Sequence, residues 1–110
     1  MSTMQSFPLA DVQSLQAASG KLFHEFLRVP ALSAGLYVLT AGSEDPQQPH
    51  KEDEVYYVIA GRSRFTCEGD EIAVEPGTTI YVATGDKHQF HDITEDLSIL
   101  VFFAPAEIEP

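Results

Sequence analysis

The stretch Gly42–Gly61 reads GSEDPQQPHKEDEVYYVIAG, and the fold of the chain turns on it. His50 and Glu54 stand four residues apart in it, and Gln48 lies two before His50. On an extended strand residues 48, 50, 52 and 54 share one face, because side chains alternate across the pleat. An imidazole and a carboxylate aimed the same way is what a divalent metal ion asks for. A second stretch, Gly77–Asp92, reads GTTIYVATGDKHQFHD. There His88 opens a strand after a turn at Gly85, while His91 has the opposite parity and is expected to face outward or to sit behind the ligands. If the two stretches pair across a barrel mouth, His50, Glu54 and His88 converge. Two histidines and one carboxylate with open positions is the arrangement of non-haem Fe(II) oxygenases.

Outward from these stretches the chain breaks into short β-rich runs. Strands are expected at 22–28, 34–40, 54–60, 62–67, 71–74, 78–82, 87–93 and 97–103, with turn residues between them, including Gly61 and Thr94-Glu95-Asp96. Closely spaced turn signals without a long helical period indicate a sandwich or barrel. The first 20 residues differ: Asp11 is the expected N-cap of a short helix through Val12, Leu15 and Gln16, ending near Gly20. The expected division is therefore an N-terminal segment, residues 1–20, and one barrel domain, residues 21–110. Val55–Ile59 and Ile99–Phe103 are apolar on both faces, so cover on both sides is expected. In so small a barrel the outer cover points to a homodimer.

Charge narrows the partners. The 110 residues carry 17 acidic and 6 basic side chains, a formal net charge of −11. Such a surface repels phosphate backbones and anionic bilayers, so neither nucleic acid nor membrane is an expected partner. The apolar runs are too short to span a bilayer, and no basic-then-apolar leader is evident. The lone Cys67 has no partner for an internal disulfide, and a cytoplasmic location is expected.

The two stretches resemble the motifs of the cupin family. Its first motif runs Gly, five residues, His-x-His, three residues, Glu, six residues, Gly; here Gly42, Gln48, His50, Glu54 and Gly61 fall on those positions. Its second runs Gly, five residues, Pro-x-Gly, two residues, His, three residues, Asn; here Gly77, Ala83, Gly85, His88 and Asp92 take the slots. The 15 residues between them, Arg62–Pro76, make a short spacer. The resemblance implies a double-stranded β-helix, the jelly-roll barrel, holding a divalent metal ion: Fe, Mn, Ni or Zn. Cupins with a full set use three His and one Glu, so His50, Glu54 and His88 are the implied ligands. Gln48 stands where the first histidine belongs. Its amide oxygen, a water, or Gln47 after a shift in register are the candidate replacements.

The surrounding residues fill supporting roles. Tyr56 shares the parity of Glu54, so its hydroxyl and the Gln48 amide are the candidates for orienting substrate. Tyr37, Tyr56, Phe65, Tyr81 and Phe90 are expected in the core, Glu52 and Asp53 as solvated charges at the rim, and Arg62 and Arg64 in surface ion pairs. Glu52 shares the ligand parity and is the rival carboxylate. His24 reads as an ordinary strand residue and Cys67 as a small filler. Two functional classes fit: a metal-dependent enzyme, dioxygenase-like or an isomerase or lyase, acting on a small organic molecule; or a small-molecule binding or sensing module without turnover. Without metal, the same three residues would form a polar cluster with a neutral His bonded to Glu54. Sugar epimerisation, with His88 and Asp92 as its acid–base pair, ranks last.

Overall fold

A computed structural model describes residues 2–108. One helix, α1 (Leu9–Ser19), precedes six strands: β1 (Phe23–Val29), β2 (Leu32–Leu39), β3 (Asp53–Cys67), β4 (Asp70–Val74), β5 (Thr79–Val82) and β6 (His88–Ala104). All pair antiparallel in the order β1-β2-β6-β3-β4, with β5 alongside the first half of β3 on the same edge that β4 takes along the second half. The architecture is all-β, with one short helix at the start. Among the described residues no helix is long and apolar enough to cross a membrane.

The eight expected strands become six because two pairs of them are continuous. Gly61 and the stretch 94–96 are bends rather than turns. The first half of β3 pairs with the end of β6 (Glu54↔Phe103, Val58↔Ile99), and the second half pairs with its beginning (Phe65↔Phe90, Cys67↔His88). Register shifts fall between Val58 and Arg64. An extra residue in a ladder flips every later side chain to the opposite face. Accordingly Glu54, Tyr56 and Val58 point inward before the bend, and Ser63 and Phe65 after it. β6 flips in the same way: His88 and Phe90 face in, then Ile93, Leu97, Ile99, Val101 and Phe103, with Asp92 between at φ 49°.

These inward side chains form one core around Tyr56, Phe65, Phe90, Leu97 and Ile99. Tyr37 is also buried, but Tyr81 is 64% exposed and does not join them. The outer face of the doubly apolar strands is open in this chain, with Tyr57 and Phe102 exposed. Arg62 pairs with Glu75 and Glu95, and Arg64 with Glu71, all at the surface. At the N-terminus α1 opens after Pro8, whose carbonyl accepts from the amides of Asp11 and Val12. Asp11 lies in the first turn and is not the N-cap, a place where its charge still complements the helix dipole. Only Val12 of the helix is buried.

Gly61 has φ 99°, and a Cβ there would come within 2.3 Å of the Asp96 carbonyl oxygen. Gly61→Ala is therefore expected to cost about 3 kcal/mol, from backbone strain plus overpacking. Urea unfolding would read this as a lower midpoint at unchanged slope.

Candidate metal centre

Three elements deliver the polar residues to one end of the barrel. Glu54 is the second residue of β3, held between Val82 of β5 and Phe103 of β6. His88 is the first residue of β6. His50 lies in the irregular segment before β3; its carbonyl accepts from Gly85 N at 2.8 Å, and its ring packs on Phe103 with centroids 4.9 Å apart. The strand begins only at Asp53, so the expected alternation over residues 48–52 does not apply. Pro46 and Pro49 flank the two glutamines, and each proline removes a backbone donor and restricts the residue before it. Gln48 is consequently exposed, and Gln47 is the amide turned towards the site.

The inner cluster is tight. His88 Nε2 lies 3.1 Å from Glu54 Oε1, and His50 Nε2 lies 3.8 Å from Glu54 Oε2. His50, Glu54 and His88 can each offer one ligand atom, with all three atoms within 4.8 Å of one another. Gln47 Oε1 stands 3.4 Å from His50 Nε2 and accepts the Tyr56 hydroxyl proton at 2.7 Å. Asp45 fixes that amide from the other end: its carboxylate accepts from Gln47 Nε2 at 2.7 Å, from Phe90 N at 3.0 Å and from the Tyr37 hydroxyl. Tyr56 is fully buried, and burial, with Glu54 nearby, holds its hydroxyl well above the usual tyrosine range. It stays a hydrogen-bond donor there.

The tautomer of His88 gives the cluster its meaning. Nδ1 lies 2.7 Å from the Asp86 carbonyl oxygen, which can only accept. Nδ1 therefore carries the proton, and in the neutral ring Nε2 presents a lone pair. It faces a carboxylate that also has only lone pairs. The 3.1 Å approach lacks hydrogen-bond alignment, and among the described residues His88 Nε2 and both Glu54 oxygens have no hydrogen-bond partner. Glu54 is only 1% exposed. Buried acceptors facing each other need positive charge between or upon them. A divalent cation meets that need, and two imidazoles with a carboxylate suit Fe, Mn, Ni or Zn. A second proton on a ring is the other way to meet it. Burial is the largest influence and opposes charging His88, but the Glu54 carboxylate, the Asp86 carbonyl and Asp45 together outweigh it and the ring's pKa is raised. For His50 the largest cause is its bond to Glu107, and its pKa is also raised.

Glu107 and Glu52 depart most from the sequence reading. Glu107, from the tail after β6, is buried and brings Oε2 to 3.1 Å from His50 Nδ1. It belongs to no motif, and nothing in its neighbourhood marks it. Glu52 is buried rather than solvated, accepting from Ile108 N at 3.2 Å, and with His50 and Glu107 makes a second possible ligand group. His91 lies elsewhere, 2.7 Å from Thr66 Oγ1 and 3.3 Å from Glu71. Asp92 is exposed and its carboxylate lies 3.3 Å from His91 Nδ1, so it is not poised against His88. Beside the cluster lies a cavity of about 140 Å³, walled by Phe23, Tyr37, Val101 and Phe103, with His50, Glu54 and Glu107 at its polar side.

Residues 35–103 match the model of a family described as a cupin domain. An uncharacterized protein of Streptomyces coelicolor is 42% identical over 104 residues, spanning 94% of this chain and 99% of its own length. Among solved structures, a cupin protein of Bacteroides fragilis superposes with a TM-score of 0.70 at 19% identity, covering 100% of this chain and 91% of that one. KdgF of a Halomonas species gives 0.68 at 20% identity, covering 76% and 78%. The DMSP lyase DddQ of Ruegeria pomeroyi gives 0.67 at 22% identity and 74% of this chain, which spans only 46% of the lyase chain. At these identities the structural likenesses bear on the fold alone.

The raised histidines make a pH prediction for metal-free protein. A pKa higher in the folded than in the unfolded chain stabilises fully below the unfolded value of about 6.5 and fades as pH rises through the folded one. The melting temperature of chelator-treated protein should therefore fall as pH rises from about 6 towards 9. Since metal binding needs the rings deprotonated, the upward shift on adding Zn or Mn should grow over the same range. Calorimetry at matched ionic strength reads both trends.

Proposed function

This chain belongs to the cupin family, and on that premise we propose that it is a metal-dependent enzyme, of dioxygenase-like type, acting on a small organic molecule. One observation carries the reading: buried Glu54 and the lone pair of His88 Nε2 face each other at 3.1 Å with no hydrogen bond, beside His50. His50, Glu54 and His88 would hold the ion. Gln47, rather than Gln48, is the neighbouring amide, and the bond from Tyr56 aims its oxygen at His50. Tyr56, fully buried, thus acts through Gln47. The bound ion would supply Lewis-acid polarisation of a substrate oxygen and, if redox-active, a place for O₂.

The cavity narrows the substrate class. Its volume of about 140 Å³ compares with the roughly 150 Å³ cavity that accepts benzene, so a body of about six non-hydrogen atoms fits. Its walls are apolar, and its charged lining residues are carboxylates, without Lys or Arg among the described residues. An uncharged substrate with one oxygen donor suits it better than an anion. The alternative reading, a binding module without turnover, draws on the Tyr56–Gln47 bond, which engages the hydroxyl and the amide oxygen with each other.

Reconstitution with Fe(II), Mn(II), Ni(II) or Zn(II) followed by elemental analysis should give one ion per chain, lost in His50→Ala and His88→Ala. No metal under any condition would overturn the reading. Oxygen uptake by the Fe(II) form on small diketones and catechols separates enzyme from binder. Lyase and isomerase products belong in the same screen.

A homodimer completes the proposal. Val55, Tyr81 and Phe102 are neighbours across β3, β5 and β6, with Tyr57 and Leu100 beside them on the same outer face. Tyr81→Glu should turn a dimer into a monomer by light scattering, whereas a monomeric parent protein would refute it.

A further inference from the structure

We propose that Glu107 is the positioning residue for His50: its carboxylate holds the Nδ1–H, so that Nε2 presents its lone pair towards Glu54 and His88. The inference rests on the metal reading above and deepens it. An imidazole free to choose its tautomer offers Nε2 only part of the time. A carboxylate on the far nitrogen removes the choice, fixes the ring plane and raises ligand basicity. His88 already has such an anchor in the Asp86 carbonyl, 2.7 Å from its Nδ1. For His50 two acceptors compete: Glu107 Oε2 lies 3.1 Å from Nδ1 and the Gln47 amide oxygen 3.4 Å from Nε2, and the shorter contact to a charged oxygen takes the proton. Both rings then show the same nitrogen to the same carboxylate.

The placement of Glu107 is built rather than incidental. Its side chain is buried, with Oε1 lacking a hydrogen-bond partner among the described residues. Its backbone is held at both ends: Glu107 N donates to Ser33 Oγ at 2.9 Å, and Arg28 donates to its carbonyl. Arg28 is itself held by Glu25 through bonds of 3.0 and 2.8 Å. The tail after β6 therefore runs across the β1–β2 hairpin and inserts one carboxylate behind a ligand. The carboxylate at ion-pair distance from His50 Nδ1 is that of Glu107, while Glu52 Oε2 accepts from Ile108 N.

The test reads the tautomer and the affinity separately, on the full chain. In metal-free protein at a pH where the rings are neutral, nitrogen-15 NMR of the histidine side chains should show His50 and His88 both protonated at Nδ1. Glu107→Ala should return His50 to a tautomer mixture, and Glu107→Gln, whose amide oxygen still accepts, should keep the wild-type signature. By calorimetric Zn titration, Glu107→Ala should weaken binding about 10- to 100-fold, with Glu107→Gln retaining most of the affinity. A wild-type His50 protonated at Nε2 would overturn the proposal even if the alanine variant did not fold. So would two ions per chain with one lost in Glu107→Ala, which would make Glu107 a direct ligand. Wild-type protein that takes no metal yet shows the Nδ1–H tautomer sinks the metal reading alone.

Discussion

A carboxylate sealed inside a β barrel must have positive charge against it, and Glu54 is such a carboxylate. Leaving it ionised and unpaired in that environment would cost several kcal/mol. Its nearest neighbour is a histidine nitrogen whose proton has been placed on the other side of the ring by a backbone carbonyl. The local structure therefore stores an unmet electrostatic demand at the barrel mouth. A cation or a proton can answer it, and the two exclude each other at a given imidazole. That exclusion makes stability, metal affinity and pH one linked problem here.

The bends in β3 and β6 make the cluster possible. Without the inversion at Gly61, the outer half of β3 would turn Phe65 to solvent; without the one at Asp92, His88 could not face in while Leu97, Ile99 and Val101 do. Each bend lets one strand serve both ends of the barrel. Gly61 is suited to it because a side chain there would collide with the Asp96 carbonyl. The apolar core around Tyr56, Phe65 and Phe90 then sits directly beneath the polar cluster, keeping water from its lower side.

Much of this was legible from residue order. The spacing of His50, Glu54 and His88 placed them together, and the glycines at 42, 61, 77 and 85 marked the breaks, although Gly61 proved to be a bend. The parity rule failed where its premise failed: between two prolines there is no strand, so Gln47 and not Gln48 turns inward. Tyr81 and Glu52 were misread for a related reason. Alternation says which side a residue takes, but not what lies on that side.

Sequence alone determined the class of fold and the donor types at the centre, because both depend on local periodicity and on chemistry carried by individual residues. Tertiary structure decided which amide faces the imidazole, which tautomer each ring adopts, and that a glutamate from the tail stands behind His50. Those are relations between segments far apart in the chain. Glu107 and His50 are set together by the Arg28 and Ser33 contacts that fold the tail back over the hairpin, and no spacing within a motif records where such a tail will land.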